Sequence, residues 1–282
     1  MEQLRGVILS VESSLIDTNE AHARAWVDAM GEHGCGIPLA TMRRMIGMGA
    51  DQLLPIVADM ALETPTGTAI STRWAAIFER DFLPHLRPLA GARELVVRLR
   101  CGGWRLVITG ASSRTQLYRL LARAGIGDLN DTMICADDAP RGKPAPDGVQ
   151  AALAKARLRP EETILLGDTP YDVEAADRAG VGMIALRCGG WGDADLAGAL
   201  ALYDDPAALL AHFDDSPLAR RRVVTPETRH GAVFNRGGFR DEPNRAALPV
   251  RRPDRPGTNT DAGRSAVNGA VDHRNARFTR DG

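Results

Sequence analysis

The chain of 282 residues is long enough for one α/β domain with an insertion or for two modest domains, and 44% apolar content supports a sizeable core. A formal net charge of -1 conceals two unlike parts: residues 1–210 carry 21 Lys and Arg against 27 Asp and Glu, whereas residues 211–282 carry 14 Arg against 9 acids. The acidic body gives no reason to expect nucleic-acid binding, and no uncharged apolar run approaches the roughly 18 residues of a membrane span.

Apolar runs at 6–9, 104–109, 133–135, 163–166 and 182–186 predict strands. Helical patterns at 93–100, 114–124, 146–156 and 172–179 lie between them. Strands alternating with single helices imply parallel pairing and right-handed crossovers, hence a Rossmann-like α/β core. Residues 19–84 break that rhythm: AHARAWVDAM and STRWAAIFERDFLPHL repeat apolar residues every three or four positions, which predicts a segment helical throughout. Such a block, inserted after the first strand, reads as a cap over the carboxyl edge of the sheet, where open α/β sheets bind ligands. The expected division is a core of 1–18 and 85–210, a cap of 19–84, and an Arg/Gly/Pro-rich tail of 211–282 with no sustained periodicity, predicted to be disordered. Arg220, Arg221 and Arg222 in that tail could attract an anionic partner. Cys35, Cys101, Cys135 and Cys188 form no CxxC pair and read as free thiols, and the start lacks the features of a signal peptide; both predict a cytoplasmic protein.

The chemistry is concentrated at the strand ends. In ILLGDTPYDVEAADRAG, Asp168 follows a strand directly and Asp172 begins a helical pattern four residues later. Two carboxylates so placed suit a hard divalent cation such as Mg²⁺, although Asp172 also suits a helix start. RGKPAPD sets Lys143, one of two lysines in the chain, before a helix. Beside two carboxylates it would hold an anionic oxygen. In GGWRLVITGASSRTQL a strand ends in small polar residues, and Thr109, Ser112, Ser113 and nearby N–H groups could receive a phosphate or form an ordinary capped connection. VILSVESSLIDT delivers Ser10, Glu12 and Ser14 to the same edge.

Taken in order, these loops resemble the haloacid dehalogenase-like hydrolases, in the phosphatase branch with a helical cap that includes phosphoglycolate phosphatases and β-phosphoglucomutases. The resemblance covers about residues 5–210, with MRRMIGMGADQLLP and GDTPYDVEAADRAGV as its most distinctive stretches. It implies Mg²⁺ as cofactor and a small phosphorylated metabolite as substrate. It also implies a first strand ending in Asp-x-Asp-Gly-Thr. The first aspartate of that pattern attacks phosphorus and binds metal; the second is the acid/base and offers its backbone carbonyl to the metal. Here Ser10 stands at the nucleophile position, Glu12 at the acid/base position with its carbonyl still available to metal, and Ser13 at the glycine. Ser14 keeps the hydroxyl of the threonine.

The phosphate-binding Ser or Thr at the end of the central strand falls on Gly110, and Thr109 regains the position only through a one-residue bulge. Lys143 matches the family lysine, and Asp168 and Asp172 match the acidic metal-side residues.

Ser10 removes an anionic metal ligand and the carboxylate nucleophile, and a serine hydroxyl is a poor nucleophile without a base. Glu12 keeps a carboxyl but moves it by one methylene, when misplacement by about 1 Å can cost on the order of 100-fold. The expectation is a hydrolase homologue whose usual phosphatase reaction is impaired or absent, with weakened Mg²⁺ binding. The alternatives are an active Mg²⁺-dependent phosphomonoesterase using Glu12 and altered chemistry, and a non-enzymatic anion-binding or interaction protein. Dehalogenation needs the same missing aspartate. Arg24, Arg43 and Arg44 in the cap could meet a second anionic group on a substrate, or could be surface arginines. The sequence does not choose an oligomeric state.

Overall fold

The computed structural model describes residues 3–129 and 131–220; of the tail predicted over 211–282, residues 211–220 are described and carry short helical turns at Phe213–Asp215 and Pro217–Arg220, and the rest, with Arg221 and Arg222, lies outside the described residues. Six parallel strands form one sheet in the order β3-β2-β1-β4-β5-β6. They are β1 (Gly6–Ser10), β2 (Arg105–Thr109), β3 (Thr132–Ile134), β4 (Thr163–Gly167), β5 (Gly182–Leu186) and β6 (Ala201–Tyr203). Every residue of β1 and β4 is buried. That is why their sequences are unbroken apolar runs rather than alternating ones: helices cover both faces of the sheet. The strand order reverses beside β1, which pairs with both β2 and β4. The carboxyl ends of these three strands therefore open onto one crevice.

The segment after β1 is helical, as expected of a cap, and is built from several short helices. It contains α1 (Asn19–Glu32), α2 (Leu39–Met45), α3 (Ala50–Ala58) and α4 (Pro65–Ile77), and it ends in π and 3₁₀ turns over Phe78–Phe82 and Leu83–His85. The breaks fall at residues the helical period overlooks: Gly34 and Gly47 with positive φ, and Asp59 at φ 48° before the Thr64 cap of α4. Further along, α5 (Ala92–Cys101), α6 (Arg114–Ala124), α7 (Asp147–Ala156) and α8 (Pro170–Arg178) alternate with the strands, and α9 (Pro206–Ala211) follows β6. Helix α8 starts two residues earlier than predicted because Thr169 caps it and Pro170 takes the first helical position. The three-residue edge strand β6 had no counterpart among the predicted strands; it is too short to show a period.

The cap meets the core through close backbone approach. A Cβ on Gly49 would lie 2.5 Å from Gly142 Cα, and one on Gly142 would lie 2.4 Å from Gly49 Cα. Gly49 N–H donates to the Lys143 carbonyl at 3.1 Å, and both carboxylate oxygens of Asp51 accept from Gly142 N–H at 3.1 Å. This contact fixes the loop that carries Lys143. Gly49→Ala is expected to destabilise the protein by about 1–3 kcal/mol through overpacking. Gly31→Ala, in α1 with nothing within 4 Å of the new Cβ, should instead stabilise by up to about 1 kcal/mol. Thermal melts of the two variants test the contact, and equal shifts would contradict it.

Candidate active site

Ser10 ends β1 beside Thr109 of β2 and is 1% exposed. The chain then turns through Ser13 at φ 61°, a left-handed conformation that L side chains rarely adopt, at the position where the family pattern has glycine. The turn delivers Ser14, whose hydroxyl donates to Asp168 Oδ1 at 2.5 Å. Asp168 follows β4 and precedes the Thr169 cap of α8.

Asp172 lies in the first turn of α8, as the helix reading allowed, and pairs with Lys143. Its Oδ2 accepts from Thr169 N–H at 3.1 Å and Thr169 Oγ1 at 2.7 Å, completing a capping box, while its Oδ1 accepts from Lys143 Nζ at 2.7 Å. Lys143 Nζ also donates to Ser10 Oγ at 3.4 Å. Ser10, Ser14, Lys143, Asp168 and Asp172, separated by up to 162 positions in sequence, thus meet at one edge.

The electrostatics follow from burial and pairing. Burial opposes the Lys143 charge, but the adjacent Asp172 carboxylate outweighs it and raises the lysine pKa. Burial, with the neighbouring Asp172 charge, pushes the Asp168 carboxyl up to about 8, against the opposing pull of the Ser14 hydrogen bond and Lys143. Asp168 Oδ2 is buried without a hydrogen-bond partner. It is the one orphaned carboxylate oxygen among these side chains, in a position kept open by Gly189, where a Cβ would come within 2.1 Å of it.

The donor set is a poor fit to the Mg²⁺ that the family implies. Ser10 contributes a neutral hydroxyl, Asp172 is committed to Lys143 and its helix, and only Asp168 keeps a carboxyl oxygen without a hydrogen-bond partner. Mg²⁺ asks for a near-octahedral shell of hard oxygen donors. Among the described residues no group of three His, Cys, Asp or Glu gathers around a common point.

Glu12 lies elsewhere in the crevice. Its Oε1 accepts from Ser112 Oγ at 2.6 Å and Ser112 N–H at 3.2 Å, and its Oε2 accepts from Ala111 N–H at 3.2 Å. A backbone cradle at the end of β2, of the kind that receives oxyanions, is therefore filled by the chain's own carboxylate. Gly110 makes room for it: a Cβ there would lie 2.9 Å from Glu12 Oε2 and 3.2 Å from Oε1. The longer acid at position 12 and the missing side chain at position 110 are one packing arrangement. Ser113 caps α6 through Gln116 N–H. Thr109 stays in regular register with Ser10 and Ile134, without a bulge in β2, and its hydroxyl faces the Leu9 carbonyl at 3.4 Å.

The cap arginines are on the surface. Arg24 and Arg43 both pair with Glu20 at 2.6 Å; Arg44 pairs with Asp195 at 2.9 Å and stacks over Trp191. The cap side of the cavity beside Asp168 is built instead from residues that the sequence reading did not single out, chiefly His22, Trp26 and Trp74. The i,i+4 spacing of His22 and Trp26 was the available signal, because it puts both on one helix face.

Comparison with known proteins places this geometry. A family model described as haloacid dehalogenase-like hydrolase matches residues 8–186. A phosphoglycolate phosphatase of Nitrosospira multiformis is 28% identical over 182 residues, covering 63% of this chain and 80% of that protein. The validoxylamine A 7'-phosphate phosphatase of Streptomyces hygroscopicus subsp. limoneus is 27% identical, covering 64% of this chain and 84% of its own. Among solved structures, a hydrolase from Pseudomonas syringae superposes with a TM-score of 0.68 at 26% identity, covering 75% of this chain and 98% of that one.

Proposed function

This chain belongs to the haloacid dehalogenase-like hydrolase family, in its phosphatase branch with a helical cap, and from that premise we propose that it is a homologue in which the usual phosphatase reaction is impaired or absent. The carrying observation is at the end of β1: Ser10 stands hydrogen-bonded to Lys143, with no carboxylate to attack phosphorus. Glu12 is not positioned as its base, since the hydrogen bonds of the Glu12 carboxylate go to Ala111 and Ser112.

In this reading residues 1–18 and 85–210 form the catalytic-type core and 19–84 the cap. Lys143 and Ser14 hold the remaining polar frame, Lys143 as the cation facing an anionic ligand and Ser14 by orienting Asp168. The Glu12 carbonyl, Asp168 and Asp172 occupy the metal-side positions of the family pattern, and with Ser10 in place of an anionic donor and Asp172 paired with Lys143 they leave Mg²⁺ binding weakened. Thr109 and Gly110 border the phosphate position, and neither offers it a hydroxyl as the strand stands. The ligand class is a small phosphorylated metabolite, as the names of the phosphatase relatives suggest.

The test is phosphate release from a panel of small phosphomonoesters in Mg²⁺ buffer, comparing the full chain with Asp168→Ala. Equal, background-level release is expected. Turnover that Asp168→Ala abolishes would overturn the proposal in favour of a working hydrolase with altered residues. A companion prediction concerns the cradle. Glu12→Ala should bind inorganic phosphate about tenfold more tightly than the parent, because the competing carboxylate is gone and two N–H groups and a hydroxyl are freed. Ser112→Ala in that background should reverse most of the gain, and unchanged titrations would contradict occupancy of the cradle by Glu12.

A further inference from the structure

The cavity beside Asp168 has two unlike halves. The core half carries Glu12, Lys143 and Asp168. The cap half is His22, Trp26, Ile46, Met48, Leu53 and Trp74. His22 is 5% exposed and stacks on Phe78 with ring centroids 4.0 Å apart, and Trp74 stacks on Trp26 at 4.7 Å. Two polar atoms of this otherwise apolar wall, His22 Nδ1 and Trp74 Nε1, are buried without a hydrogen-bond partner. Such atoms ordinarily find one.

Among the described residues no arginine lines the cavity, and its one lysine, Lys143, is already paired with Asp172. Trp74 and Lys143 also border a wider groove of about 580 Å³. That groove contributes Asp51, Glu63 and Asp137, and its one arginine, Arg141, is paired with Asp147. A second anionic group on a ligand would lose its hydration on the cap side without gaining a cation, a cost not offset by any group there. An apolar ring would instead meet aromatic faces, and a polar edge on it could satisfy His22 Nδ1 and Trp74 Nε1.

We propose that the cap of this protein selects a ligand with a ring-bearing, apolar body and no anionic group beyond its phosphate head. This rests on the reading that the strand-edge site still receives a phosphate-type head. It separates the chain from its relatives named for phosphoglycolate, a molecule whose second anionic group is a carboxylate.

Calorimetric titration of the full chain with phenyl phosphate, phosphoglycolate and inorganic phosphate tests it. Phenyl phosphate should bind at least about tenfold more tightly than phosphoglycolate. Trp74→Ala should remove most of that preference. Met48→Arg, which adds a cation to the cap wall at a half-buried position, should shift the preference toward phosphoglycolate and does not depend on Trp74→Ala folding. Equal or tighter binding of phosphoglycolate, no binding of phenyl phosphate, or a preference untouched by both variants would overturn the proposal. Phosphate release measured in the same samples reports separately on catalysis: turnover would contradict impaired hydrolysis while leaving the ligand preference intact.

Discussion

His22→Leu will flatten the acid limb of the stability curve. Burial among Trp74 and Phe78 pushes the His22 imidazole down to about 3 from its ordinary value of 6.5. Above pH 6.5 the ring is neutral in both folded and unfolded chains and contributes no pH dependence. As pH falls below 6.5 the unfolded chain takes up a proton that the folded chain refuses, so stability is lost progressively until about pH 3. Roughly 1.4 kcal/mol per pH unit gives about 4–5 kcal/mol across that window, and about 3 kcal/mol by pH 4. Urea unfolding of parent and variant at pH 7 and pH 4 measures it. The comparison of slopes cancels the packing offset of the substitution, which itself changes the hydrophobic wall of the cavity. The variant should lose about 3 kcal/mol less than the parent between the two pH values; parallel losses would show that His22 is not held neutral.

The sheet was legible because parallel strands buried on both faces leave unbroken apolar runs, and five of its strands were readable at nearly their observed bounds. Strand β6 was not, since three half-buried residues at an edge carry no period. The strand-end loops were legible as a set: Ser10, Ser14, Lys143, Asp168 and Asp172 do converge. Two things were not. The hydrogen bonds from Glu12 to the 111–112 loop depend on the reach of one added methylene and on space left by a glycine 98 positions away, which no local pattern encodes. The aromatic wall of the cap depends on how α1 packs on α4. From sequence, His22, Trp26 and Trp74 are simply apolar-face residues of two helices.

The second large effect concerns the end of β1. Ser10→Asp with Glu12→Asp restores both carboxylates of the family pattern to a frame in which Ser14 already bonds to Asp168 and Lys143 to Asp172. The first change supplies an attacking carboxylate and an anionic metal donor near Asp168. The second withdraws the side chain by one methylene from the cradle at Ala111 and Ser112, vacating a place for phosphoryl oxygens. Gly110 still offers no hydroxyl, so activity should fall short of an intact enzyme. Restoring a missing nucleophile is nevertheless expected to raise turnover by at least about 100-fold.

On the proposed reading the fold and its polar frame persist while the chemistry fails at positions 10 and 12. Phosphate release by the parent and the S10D/E12D protein, assayed side by side on small phosphomonoesters with and without Mg²⁺, tests it most directly. Background release is expected from the parent, and Mg²⁺-dependent release at least about 100-fold above it from the double variant. Substantial Mg²⁺-dependent turnover by the parent, or a well-folded double variant as silent as the parent, would contradict it.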